Sequence, residues 1–291
     1  MHGTKNNKTM RFFFLFIFIA CSASCQKRED SKLSTIASLP RSLDEISGMV
    51  KLSDDSLLAI NDSGNEPVVF HLNVKGDIQN EIKISNTKNI DWEDLAYGND
   101  GTVYIGDFGN NQNDRTDLVI YKIANILSSA IEVSEITFRY EDQEDFPPKK
   151  KNFNFDVEAF IQMDKSLYLF TKNRAKNSKG ITKIYQLPNI AGKHIAKLVG
   201  SYTLCDDPKD CLITGATINP DQNKIVLLSH KKIYLLTNFK AKGLENCDIQ
   251  KIKLHHNSQK EAICFKNDDT LIISDEKTGK KNATLYTFSM Y

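Results

Sequence analysis

From Asp44 to Tyr291 short apolar runs alternate with polar turns, and one pattern of positions recurs five times. Its first element opens an apolar run: Glu45-Ile46-Ser47-Gly48, Glu93-Asp94-Leu95-Ala96, Glu158-Ala159-Phe160, Gly215-Ala216-Thr217 and Glu261-Ala262-Ile263. The second is apolar and β-branched and ends on a polar residue: Leu57 to Asp62, Val103 to Asp107, Leu167 to Lys172, Ile225 to Ser229 and Leu271 to Asp275. From the first position to that polar residue is 14 steps in four repeats (93 to 107, 158 to 172, 215 to 229, 261 to 275) and 17 in the first (45 to 62). A third element sets an aromatic residue two positions before another apolar one, as in Phe70-His71-Leu72 and Tyr121-Lys122-Ile123. Alternation of this kind, rich in aromatic and β-branched residues, is the pattern of strands.

A fourth alternating run follows in four of the repeats: Glu81 to Ser85, Glu135 to Tyr140, Ile195 to Tyr202 and Asp248 to Leu254. The fifth repeat has none, and Leu33-Ser34-Thr35-Ile36-Ala37, ahead of the first motif, can supply the missing strand. Four strands recurring in constant register predict an all-β propeller, most simply five four-stranded blades closed by the N-terminal strand. A sixth blade would have to lie between Ile131 and Asn154, where Pro147-Pro148 and the charged residues read as a surface loop. A β-sandwich gives no reason for one register to recur five times.

Ahead of the propeller, Lys5, Lys8 and Arg11 precede the apolar run Phe12 to Ala20 and then Cys21. That run is about half the roughly 20 residues a spanning helix needs, so it reads as a cleaved export signal. Phe18-Ile19-Ala20-Cys21 resembles a lipobox with Cys21 as the lipidated residue, and Cys25 is the alternative acceptor. The expected organisation is a lipoprotein signal peptide at 1–20, a flexible tether at 21–31 and the propeller at 32–291. The membrane is then reached through an N-terminal lipid, at the bacterial cell envelope and most simply its outer membrane.

Composition narrows the partners. With 38 Lys and Arg against 37 Asp and Glu, the net charge of +1 gives no basic field for nucleic acid. The protein is expected to act as a monomer. Export permits disulfides, and Cys205 and Cys211, separated by a short loop containing Pro208, are the evident pair. Zinc is the other reading of those cysteines, and no second ligand pair has matching spacing.

Leu39-Pro40, Glu45-Ile46-Ser47-Gly48, Asn61-Asp62-Ser63-Gly64, Asp91-Trp92-Glu93-Asp94-Leu95-Ala96, Tyr104 to Asn110 with Arg115, and Ile213-Thr214-Gly215-Ala216 together resemble the exported propellers grouped as SdiA-regulated or esterase-like-phytase-like. These are relatives of the NHL and TolB-type propellers, and the resemblance covers nearly all of the expected mature chain. It implies a propeller fold and, for activity, a Ca²⁺-dependent hydrolase of phosphoesters or esters. Gly215 in the fourth repeat and Lys172 in the third depart from a uniform ring of acids.

Read physically, equivalent positions of radially repeated units converge on one channel mouth. Glu45, Glu93, Glu158 and Glu261 are therefore candidate ligand-binding residues, and Asp62, Asp107, Asp275 and Glu93 candidate metal ligands. Clustered carboxylates raise one another's pKa unless a cation or a basic neighbour relieves them, and Arg115 and Lys172 are the basic candidates. Oxygen-only ligands suit Ca²⁺. His230 follows Ser229, so it too turns toward the mouth. No Gly-x-Ser-x-Gly elbow is present, and no histidine has a partnered nucleophile at a telling spacing. The expectation is a non-catalytic module that binds a ligand or a partner, with the hydrolase as the alternative.

Overall fold

A computed structural model describes residues 1–3, 33–176, 180–205 and 211–291, and these described residues hold twenty strands and little helix. The expected signal peptide, the tether, Cys21 and Cys25 lie outside the described residues. Strands β2 (Ile46–Ser53), β3 (Ser56–Asn61), β4 (Val68–Asn73) and β5 (Ile78–Lys83) form the first antiparallel unit. The second is β6 (Trp92–Tyr97), β7 (Val103–Asp107), β8 (Val119–Ala124) and β9 (Glu132–Tyr140). The third comprises β10 (Val157–Met163), β11 (Ser166–Thr171), β12 (Ile181–Pro188) and β13 (Gly192–Thr203), and the fourth β14 (Gly215–Ile218), β15 (Ile225–Leu228), β16 (Lys232–Thr237) and β17 (Asp248–Lys253). The last contains β18 (Lys260–Asn267), β19 (Thr270–Asp275) and β20 (Thr284–Ser289), and its fourth strand is β1 (Leu33–Ser38), which pairs antiparallel with β20.

The first strands are neighbours in the order β2, β6, β10, β14, β18 and back to β2, so the ring closes and the molecule is an all-β propeller. Alternation explains how it holds together. In β3, Leu58 and Ile60 pack against the second unit while Leu57 and Ala59 pack against the fifth. In β15, Val226 and Leu228 face the fifth unit while Ile225 and Leu227 face the third. Both faces of each second strand are thus buried, which is why these runs are continuously apolar instead of alternating with polar residues. Five apolar clusters result, one between each adjacent pair of units. Each fully buried Leu, Ile or Phe contributes about 1.5–3 kcal/mol.

One connection has no counterpart in the sequence pattern. Strands β9 and β13 pair in parallel, Ile136–Tyr140 against Gly192–Ala196, and fuse the second and third units into one eight-stranded sheet. Between Tyr140 and Asn154 there is one short 3-10 turn and no further strand. Cys205 and Cys211 are joined as a disulfide, with their Cα atoms 6.2 Å apart.

Candidate functional site

Four of the five first strands begin with a bulge, and this irregularity builds the site. Pairing slips between Ile46 and Gly48, Trp92 and Asp94, Val157 and Ala159, and Lys260 and Ala262. The residues in the slips are Ser47, Glu93, Glu158 and Glu261, and the strand pairing puts Thr214 at the matching place of the fourth unit. A bulge re-aims the side chain of its extra residue. Glu93, Glu158 and Glu261 are thereby buried on one rim of the axis. In the two remaining units a hydroxyl replaces the acid and ties the ring: Ser47 Oγ donates to the Trp92 carbonyl (2.9 Å) and Thr214 Oγ1 to the Lys260 carbonyl (2.7 Å).

This register corrects two placements. The first-unit counterpart of Glu93 is Ser47, so the interval to Asn61, which corresponds to Asp107, is again 14 (47 to 61). Glu45 lies two positions outside the ring, is exposed, and accepts from Asn65 Nδ2 at 2.8 Å. Lys172 likewise stands one residue beyond Thr171, the true counterpart of Asp107. The residues just past the second strands are therefore Asp62, Phe108, Lys172, His230 and Glu276, a second ring of mixed character.

Carboxylate oxygens of Asp62, Asp91 and Glu93 converge within 4.8 Å of one another, and so do those of Glu93, Asp156 and Glu158. Glu93 is shared by both groups. The two halves differ in compensation. Arg174 pairs with Asp156 through Nε and with Glu158 through Nη2 (2.9 Å), and Lys172 pairs with Glu158. The Asp62 carboxylate accepts the backbone N–H of Ser63, and among the described residues none of Asp62, Asp91 and Glu93 is in an ion pair. The fold makes room for them at Gly109, where an added Cβ would lie 2.1 Å from Glu93 Oε1 and 2.3 Å from Asp91 Oδ2.

Electrostatics follow from this packing. Burial, then repulsion from Glu158, Asp62, Asp91 and Asp156, holds the Glu93 carboxyl well above its ordinary value. Asp91 is pushed up to about 7, by burial and then by Asp62 and Asp156. Glu276 also rises to about 7, with burial first and Asp62 next. Burial raises Glu261 as well, against the pull of Lys172. His230 is drawn down to about 4 by burial and by Lys172, Lys260 and Lys231, so it is neutral at pH 7 and its 4.0 Å approach to Glu261 is not an ion pair.

Asp107 and Asp275, read from the sequence as metal ligands, are committed elsewhere. Asp107 accepts from the backbone N–H groups of Asp91 (3.0 Å) and Ile90 (3.3 Å) and is ion-paired with Arg115 at 3.0 Å. Asp275 accepts from Tyr286 Oη and the Thr284 N–H, both at 2.8 Å. Each caps its own unit, and neither joins a group of converging oxygens. The residues missed by sequence reasoning are Asp91, Asp156, Arg174 and Glu276. The first two carried a signal in the shared spacing of Asp91-Trp92-Glu93 and Asp156-Val157-Glu158.

No family model and no curated protein sequence matches the chain. Among solved structures, the PQQ-bound aldose sugar dehydrogenase of Streptomyces coelicolor aligns at 9% identity and a TM-score of 0.51, covering 88% of this chain and 97% of that one. A glucose dehydrogenase aligns at 8% identity and a TM-score of 0.50, covering 88% and 99%. The WD40 β-propeller domain of Doa1 aligns at 11% identity and a TM-score of 0.40, covering 89% and 69%. At such identities the likeness to the two dehydrogenases is one of fold.

Proposed function

We propose that this protein is a binding module, held at the cell envelope by a lipid on Cys21, whose acidic rim takes up a hard divalent cation, Ca²⁺, on Asp62, Asp91 and Glu93. The observation that carries the reading is the uncompensated half of the cluster. Its three carboxylates converge within 4.8 Å, and Glu93 is only 8% exposed yet makes no hydrogen bond or ion pair among the described residues. Like charges left this way are relieved by protons or by a cation, and oxygen donors in loose geometry favour Ca²⁺ over Mg²⁺, which demands near-ideal octahedra. Ca²⁺ takes 6 to 8 oxygens, so three side chains leave positions for oxygens of a small ligand or a partner loop. Calorimetric titration of the purified protein with Ca²⁺ tests this. One site is expected, lost in Glu93→Gln, and an absence of heat at pH 8 overturns the reading.

One observation favours the phytase-like alternative suggested by the sequence. Asp91 and Glu276 both titrate at about 7, where a carboxylate can serve as a general base. Ca²⁺-dependent turnover of a phosphomonoester, phytate or an aryl ester that disappears in Glu276→Gln would replace binding with catalysis.

A further inference from the structure

Beyond the acidic rim, the same five first strands continue to the other end of the axis, where they surround a cavity of about 720 Å³. Every unit contributes the corresponding stretch of its first strand, from Val50, Leu95, Phe160, Ala216 and Cys264 outward, and all but the third add residues of the turn that follows. The inner end is closed. At the position just after the bulge the units carry Gly48, Asp94, Ala159, Gly215 and Ala262, and Asp94 alone has a long enough side chain to reach across. Its carboxylate accepts from the Phe160 N–H (3.1 Å) and the Ala216 N–H (3.3 Å) on two other strands, and from its neighbour Leu95 (2.8 Å). Leu95, Phe160 and Ala216 are the residues at the cavity's inner end, so the axis is blocked there and the cavity is a blind pocket separate from the cation site.

We infer that this pocket is a second binding site, for a neutral small molecule with an apolar body and one polar end. Size and lining argue for the class. Small-molecule sites run to about 300–1,000 Å³ with apolar walls and a few polar groups. The inner wall is Val50, Leu95, Phe160, Ala216 and Cys264, and the Cys264 thiol, only 2% exposed and raised by burial to about 12, stays neutral. Charge at the outer edge cancels. The lining's four charged side chains, Lys51 and Lys266 against Asp54 and Asp268, sum to zero; Lys51 is paired with Asp54 at 2.7 Å and also donates to the Lys266 carbonyl at 2.8 Å, while Asp268 accepts from Asn219 at 3.1 Å. An ion reaching the inner end would lose hydration with no charged side chain among Val50, Leu95, Phe160, Ala216 and Cys264 to replace it. The polar end of the ligand has a match in Gln162, whose Nε2 is bonded to the Asp164 carbonyl and whose buried Oε1 has no donor among the described residues. A hydroxyl or N–H on the ligand satisfies that oxygen after a small rotation of the side chain.

Fluorescence titration of the full chain with N-phenyl-1-naphthylamine, a neutral apolar amine, tests the inference, with the anionic 8-anilinonaphthalene-1-sulfonate as comparator. Saturable one-to-one binding of the neutral probe is expected, at least tenfold tighter than the anion. Ile218→Trp and Leu52→Trp, at half-buried positions of the cavity mouth, should each weaken it at least tenfold. Glu93→Gln should leave it unchanged, which separates this site from the rim. Thermal melts establish that both tryptophan variants fold, and either one folding suffices for the comparison. Non-saturating binding, equal or tighter binding of the anion, or binding untouched by a folded mouth variant overturns the inference.

Discussion

The two ends of the propeller axis are built from the same five strands and have opposite chemistry. At the rim, bulges turn Glu93, Glu158 and Glu261 toward one another and bury them. One or two positions beyond the residue after the bulge the strands are paired again, and Val50, Leu95, Phe160, Ala216 and Cys264 make the apolar inner end of the cavity. What divides the two is the position after the bulge. Small residues there let the strands approach so closely that a Cβ on Gly48 would lie 2.7 Å from the Asp94 Cα, and Asp94 fills what space remains. A single repeat unit thus encodes both ends, with local pairing geometry deciding which chemistry faces inward.

Breaking the partition should have the largest effect. Asp94→Ala removes the acceptor of three backbone N–H groups, and unsatisfied buried donors cost about 1–3 kcal/mol each, so a loss of about 3 kcal/mol or more is expected in urea unfolding. Asp94→Asn keeps an acceptor oxygen and should lose less. Equal stability of wild type and Asp94→Ala would mean that the carboxylate does not tie the strands.

Cation binding should come next. At free Ca²⁺ 100 times its dissociation constant, a site present only in the folded protein adds about 2.7 kcal/mol. For a domain of this size that is a rise of about 5–10 °C in Tm, reversed by a chelator and missing in Glu93→Gln. An unchanged melt at millimolar Ca²⁺ would leave the rim as a proton-relieved cluster.

Acidity modulates the same end and spares the other. Asp91 and Glu276 rise from ordinary values near 4 to about 7, so the folded state keeps protons that the unfolded chain releases between those values. Their contribution to stability is fully present below about pH 4 and is lost as pH rises through about 7. Without Ca²⁺, Tm should therefore fall from pH 5.5 to 8, and the Ca²⁺-induced rise should grow over the same interval as the cation replaces the protons. Probe binding in the apolar cavity should not change with pH. A Ca²⁺ effect that is flat with pH would place the cation elsewhere.

The sequence carried the repeat because burial on both faces forces continuous apolar runs such as Leu57 to Ile60, and those runs survive divergence of the turns. It carried Glu93, Glu158 and Glu261 for the same reason of register. It misled at Glu45, because a bulge adds a residue without leaving a compositional mark, and Ser47 then occupies the place an acid holds in other units. It was silent on the parallel pairing of β9 with β13, which joins strands of two units through backbone hydrogen bonds that any sequence can make. Arg174 lies in the turn after a second strand, outside the repeated pattern, and Glu276 stands at the position of Asp62 and Lys172 but one step past the residue that the sequence register marked, so only the folded chain brings them to the rim.

The smallest effect on cation binding should come from the acids that sequence reading placed in the metal site and the structure places in unit caps. Asp107→Asn keeps the size of the side chain and one acceptor oxygen, but loses the charge facing Arg115, which retains Asp117 at 3.0 Å and the Gly109 carbonyl at 2.9 Å. A cost of about 1–2 kcal/mol is expected, from one weakened charge-assisted hydrogen bond. Because Asp107 points its oxygens at the N–H groups of Ile90 and Asp91 and not at the converging carboxylates, the Ca²⁺-induced rise in Tm should persist, superimposed on a lower baseline. Asp275→Asn, facing Tyr286 and Thr284, should behave alike. Were either variant to abolish the Ca²⁺ response while Asp91→Asn preserved it, the ligand set would be the ring of second-strand acids, and the bulge would serve packing alone.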